Sequence, residues 1–104
     1  MNTFTDGEKV LTFSYDVDEV IKHDKGYIVL YDYMQCDFNV DAYDLDGNRL
    51  WNINDILKIK IKDAFVEVRK AKEPKNCIYV WSYMGIRYCI DVEKKKVIET
   101  LITK

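Results

Sequence analysis

Val40-Asp41-Ala42-Tyr43-Asp44-Leu45-Asp46-Gly47-Asn48-Arg49-Leu50-Trp51-Asn52-Ile53 decides the fold class. Asp46-Gly47 divides two β-prone runs, residues 40–45 and 49–53. Glycine enters positive φ without a Cβ clash, so an Asp-Gly pair between such runs is the strongest short hairpin signal. The turn brings Trp51 back against the preceding strand, where its ring covers apolar surface.

Strand signals continue on both sides of this hairpin. Residues 10–15, 20–23 and 27–33 read as strands, as do 77–83 and 97–102. Leu57, Ile59 and Ile61 alternate with Lys58, Lys60 and Lys62, the pattern of a strand with one wet face. Ile86, Tyr88, Ile90 and Val92 alternate with Arg87, Cys89 and Asp91 in the same way. Asp6-Gly7, Lys25-Gly26, Met84-Gly85 and the run 93–96 punctuate these segments, and Glu73-Pro74-Lys75-Asn76 is the clearest loop. Residues 54–57 have room for one helical turn capped by Asn54. The expectation is an all-β protein of about nine short antiparallel strands. They form a single sandwich- or blade-like domain over residues 1–104.

Composition agrees. Of 104 residues, 48% are apolar and 33% charged, which marks a globular chain. Eight Tyr, four Phe and two Trp favour pleated sheet. No apolar stretch approaches the roughly 20 residues that span a bilayer, and the N-terminus lacks the pattern of a leader. Cys36, Cys77 and Cys89 are odd in number and widely spaced, which suits a reducing cytoplasm. The net charge of −2 conceals a split. Residues 1–55 hold twelve acids against four bases, 4 − 12 = −8, and residues 56–104 hold twelve bases against six acids, 12 − 6 = +6. Either the halves interleave their charges, or the surface is polarised and steers a charged partner.

A weak internal repeat runs through the chain. Residues 27–34 align with 77–84 at an offset of 50, with Ile28/Ile78, Tyr33/Tyr83 and Met34/Met84 identical. Residues 42–51 align with 89–98 at an offset of 47, matching Asp44 to Asp91 and Asp46 to Glu93. Each copy, 27–51 and 77–98, reads as strand, turn, strand, turn, strand.

Residues 42–51 resemble the blade repeat of quinoprotein-type β-propellers, which runs Ala-x-Asp, a Thr-Gly turn, then Trp. Here Asp46 stands in the Thr position, the run is one residue short before Gly47, and the second copy lacks both Gly and Trp. The family's cofactor site has no counterpart in this sequence, so the resemblance implies blade-like repeats and no cofactor. Two blades do not close a propeller. In size and composition the chain is also similar to small acidic bacterial immunity proteins, which implies toxin neutralisation.

The chemistry-bearing residues favour bland readings. His23 is the sole histidine, and its neighbour Asp24 points to the opposite face of a strand. It reads as a surface histidine at a strand end. The cysteines form no C-x-x-C pair. Cys77 and Cys89 read as small buried hydrophobes, and Cys36 as a more exposed loop residue. Asp37, Asp41, Asp44, Asp46 and Asn48 suggest calcium at first sight, but Gly47 precedes Asn48 and no Glu closes the loop. Tyr31, Tyr33, Trp81 and Tyr83 fall in register as either an aromatic ladder or a platform for a protein or sugar. Lys58/Lys60/Lys62 and Lys94/Lys95/Lys96 read as a wet face and a turn, with an anionic partner as the alternative.

The resulting expectation is a non-enzymatic binding protein without metal or cofactor. Its partner would be a protein, basic in character. The contacts would come from Asp37, Asp41, Asp44 and Asp46, with Tyr33 and Tyr43 as anchors. Neither nucleic acid nor membrane is expected as a partner. Homo-oligomerisation stays open, because a lectin that completes a propeller by assembling copies is the rival reading.

Overall fold

In chain order the elements are β1 (Thr3–Asp6), β2 (Lys9–Thr12), β3 (Val17–His23), β4 (Gly26–Tyr31), β5 (Val40–Asp44), β6 (Arg49–Asn52), α1 (Ile53–Leu57), β7 (Phe65–Lys70), β8 (Cys77–Ser82), β9 (Ile86–Asp91) and β10 (Lys96–Ile102). They come from a computed structural model that describes residues 2–102. The fold is all-β. β1 and β2 form a hairpin, and two four-stranded antiparallel sheets follow, in the orders β3-β4-β5-β6 and β10-β9-β8-β7. Both sheets are meanders with the same connectivity.

The β5–β6 turn shows how the local sequence sets the register. Asp44 Oδ1 accepts from the backbone N–H groups of Asp46 and Asn48, both at 2.9 Å. Asp44 N–H donates to Asn48 O at 2.9 Å, so three residues lie in the loop rather than two. Gly47 takes φ 88°, the position a three-residue hairpin reserves for glycine. Asp91 does the same in the second sheet, accepting from Glu93 and Lys94 N–H at 2.9 Å each. Gly26 answers a different need. A Cβ there would lie 2.0 Å from the backbone oxygen of Tyr43, on the neighbouring strand.

The sheets pack face to face. Ile28, Leu30, Val40 and Trp51 from the first meet Val68, Ile78, Val80 and Ile90 from the second in one buried cluster. Burying an aliphatic side chain contributes roughly 1.5–3 kcal/mol, against about 0–1 kcal/mol for an exposed ion pair. This cluster, not the surface charges, therefore joins the layers. Asn39 adds a polar tie and is fully buried. Its Nδ2 donates to Tyr31 O at 2.7 Å and Phe65 O at 2.9 Å, and its Oδ1 accepts from Phe65 N–H at 2.7 Å.

The outer face of the first sheet is covered. Tyr27, Val29 and Tyr31 of β4 pack under Leu11 and Phe13, with Phe4 and Tyr43 beside them. The β1–β2 hairpin thus makes a third layer on one side only. The charge boundary falls after β6, so this hairpin and the first sheet form the acidic half, and the second sheet forms the basic half. Lys25–Glu93 joins the halves, whereas Lys22–Asp6, Arg49–Asp41, Arg69–Glu67 and Arg87–Glu99 each stay within one.

Three details correct the sequence reading. Residues 57–62 are not a strand and have no place on a sheet edge; they leave α1 through Lys58 at φ 55° into a loop. The helical turn is capped by Asn52 rather than Asn54, because Asp55 Oδ2 accepts from Asn52 N–H at 2.9 Å and closes a capping box. Asn54 instead pins the loop, its Oδ1 accepting from Ile59 N–H at 2.8 Å. β1 and β7 are strands that the pattern reading omits.

A candidate protein-binding surface

β4 and β8 end at the same pole of the molecule, and each is followed by a Tyr-Met pair. The loop after β4 is shaped by Asp32, whose Oδ1 accepts from Met34 N–H at 2.9 Å while its backbone oxygen accepts from Gln35 N–H at 3.0 Å. The tighter turn after β8 is shaped by Ser82. Its backbone oxygen accepts from Gly85 N–H at 3.1 Å, and its Oγ accepts from Ile86 N–H at 3.1 Å. Tyr83 N–H donates to Ala64 O at 2.8 Å, which anchors the turn to the neighbouring loop.

These turns bring Tyr33 and Tyr83 into a stack, with ring centroids 6.0 Å apart and an interplanar angle of 30°. Tyr33 is 42% exposed, Met34 77%, Tyr83 70% and Met84 65%. Four large side chains are thus exposed on two turns that the tyrosine stack holds side by side. A patch of this kind marks an interaction site more often than a lone exposed residue does. Asp37 lies exposed on the loop that carries Tyr33.

The structure separates the other residues expected at the site. Asp41 is buried and accepts from Tyr31 Oη at 2.9 Å and Asn52 Nδ2 at 2.8 Å, with Arg49 Nε at 3.3 Å. Asp44 and Asp46 lie at the opposite pole, in the turn after β5. The backbone N–H of Asn48 holds the Asp44 carboxyl below the ordinary range. Tyr43 packs edge-on to Phe13 at 5.0 Å, and its hydroxyl sits 2.5 Å from that of Tyr31. Burial raises the pKa of both phenols, keeping them protonated. Of the six expected residues, Tyr33 and Asp37 share the exposed pole. Met34, Tyr83 and Met84 are exposed on the same turns and were missed as site residues; the identical Tyr-Met pairs at an offset of 50 were the signal that pointed to them.

Elsewhere, Cys77 and Cys89 are buried and Cys36 is partly buried. Burial pushes the Cys77 thiol up to about 11, which suits a packing role rather than a nucleophile. His23 ends β3 half-buried, beside a cavity of about 240 Å³ bounded also by Asp24, Lys70, Asn76 and Val92. Its Nδ1 accepts from Lys25 N–H at 3.3 Å. Burial lowers its pKa, and the Lys70 charge lowers it further. No helix among the described residues is long and apolar enough to cross a membrane.

Comparison with known proteins matches residues 2–102 to a family model described as a domain of unknown function, DUF7957. No curated protein and no solved structure matches the chain.

Proposed function

The chain belongs to the DUF7957 family of domains of unknown function, and on that premise we propose that it is a non-catalytic protein-binding module. The observation that carries this reading is the stack of Tyr33 on Tyr83 with Met34 and Met84 exposed beside it. Tyrosine offers large contact area at low entropy cost, and methionine adapts to irregular partners. Burying four such side chains contributes roughly 2 kcal/mol each. That total is comparable to an association cost of about 4–15 kcal/mol, so tight binding requires polar contacts at the rim. Asp37 is placed to supply one, and it favours a basic partner.

The small size and acidic first half suit a toxin-neutralising protein, and three unpaired cysteines suit a reducing cytoplasm. A propeller assembled from several copies needs the outer face of the first sheet free to receive the next chain. The β1–β2 hairpin occupies that face, which favours the protein-binding reading.

The test compares immobilised wild-type protein with a Tyr33→Ser/Tyr83→Ser variant against an extract of the native host. A protein retained by the wild type is expected to be lost by the variant, with circular dichroism and melting temperature unchanged. Equal retention by both would overturn the proposal.

A further inference from the structure

We infer that the outer face of the second sheet is a docking surface for an extended, acidic protein segment. The first sheet supplies the internal comparison. At an offset of 50, Tyr27, Val29 and Tyr31 of β4 correspond to Cys77, Tyr79 and Trp81 of β8. The β4 residues lie buried beneath the N-terminal hairpin. Tyr79 and Trp81 are half-buried, and among the described residues no strand or helix covers this face of β8 as the N-terminal hairpin covers β4.

The chemistry of the uncovered face selects its occupant. The Arg69 guanidinium lies 5.9 Å from the Trp81 ring centre and that of Arg87 4.5 Å from the Tyr79 ring centre, while the two rings are 6.0 Å apart. Lys72 continues the same groove, whose acids are Glu73 and the two carboxylates already paired with the arginines, Glu67 and Glu99. Lys70 turns to the other side, its Nζ donating to Lys22 O at 3.4 Å. A guanidinium over a ring presents its edge to a carboxylate. The same contact occupies ring faces that stacked nucleobases would need, so the groove favours acidic peptide over single-stranded nucleic acid. The face already uses this chemistry internally: Glu99 meets Arg87 at 2.9 Å, and Glu67 pairs with Arg69. Arg87 Nε is buried without an acceptor, an unmet donor beside the groove.

The covering hairpin shows what such a segment looks like. Phe4 meets Tyr27 edge-on at 5.8 Å. Asp6 accepts from Tyr27 Oη at 2.5 Å and pairs with Lys22 at 2.8 Å. An extended strand presenting one aromatic ring and a carboxylate therefore already closes the twin face.

Fluorescence provides the assay, because Trp51 is only 5% exposed and Trp81 sits in the groove. The probe is a capped heptapeptide alternating Glu and Thr around a central Phe. Binding is expected to change Trp81 emission and to weaken as salt rises. Arg69→Gln with Arg87→Gln is expected to weaken binding about tenfold or more. Glu67→Gln with Glu99→Gln removes the internal competitors and is expected to tighten binding, so the inference stays testable if the arginine variant fails to fold. The inference is overturned by no spectral change, or by equal binding of the same peptide with Lys in place of Glu. It falls equally if a single-stranded oligothymidylate binds and the peptide does not. A concentration-dependent dimer in sedimentation without peptide binding would assign the face to a second copy and overturn it as well.

Discussion

The side-chain amide of Asn39 hydrogen-bonds both backbone groups of Phe65, joining the loop before β5 to the first residue of β7. Both residues are buried, so no water replaces a lost partner. Asn39→Ala leaves the N–H and C=O of Phe65 and the C=O of Tyr31 without a donor or acceptor. Leaving buried backbone groups unpaired is expected to cost about 3 kcal/mol in total. Urea denaturation of the variant measures it, and a loss below the error of the fit would show that the tie carries no stability.

Two glycines separate steric need from conformational need. Gly26→Ala puts a methyl group against the backbone oxygen of Tyr43, which cannot yield without parting β4 from β5. Overpacking of this kind is expected to cost about 2–3 kcal/mol. Gly47→Ala meets the end of the Leu11 side chain, which can turn aside, and is strained mainly by its φ of 88°. Its expected cost is about 1 kcal/mol. Melting curves of the two variants should therefore rank Gly26→Ala as the more damaging.

The turns and most strands were legible because each rests on residues close in sequence: Asp44 with Gly47, Ser82 with Gly85, and the alternation of residues 86–92. The alternation of 57–62 misled because a local competitor acts first. Asn52 and Asp55 cap α1, Lys58 turns the chain, and no neighbouring strand is there to pair with the loop. β7 carries the weaker pattern, since Val66 breaks the alternation of Phe65, Glu67, Val68 and Arg69, yet β8 gives it a partner. The fate of Asp41 was not legible at all. Its burial depends on Tyr31 of β4 and on Arg49 and Asn52 of β6 converging from the two neighbouring strands. Tyr33 and Tyr83 lie fifty residues apart, and only the common end of β4 and β8 stacks them.

His23 is expected to give stability a pH dependence of its own. Burial, then the charge of Lys70, holds its pKa below the ordinary 6.5, while Asp24 and Glu93 oppose that shift. As pH falls through 6.5 the unfolded chain therefore binds the proton before the folded one does. The stability present above pH 6.5 is lost progressively below it. The difference in unfolding free energy between wild type and His23→Gln, measured at pH 7.5 and pH 5, should shift against the wild type at the lower pH. An imidazole titration midpoint above 6.5 by NMR would contradict the sign. Binding through the Tyr33/Tyr83 pole should be indifferent to the substitution, since His23 closes the opposite end of β3.

The acidic residues of the first half divide by location, and this separates steering from folding. Asp37 is exposed, whereas Asp41 is buried against Arg49, Asn52 and the Tyr31 hydroxyl. Asp37→Asn is expected to leave the melting temperature unchanged and to slow association with a basic partner captured through the Tyr33/Tyr83 pole. The slowing should shrink as salt rises, because an exposed charge acts over roughly 10 Å at 0.1 M ionic strength. Asp41→Asn is expected to do the reverse. It loses the charge that holds Arg49, and a substitution at such a buried network costs about 1–3 kcal/mol, while association of the folded fraction stays near the wild-type rate. Stopped-flow association at low and high salt, paired with urea denaturation, reads both effects. If Asp37→Asn changes neither rate nor salt slope, the acid on that loop is a solvated side chain, and recognition at this pole rests on the two tyrosines and two methionines alone.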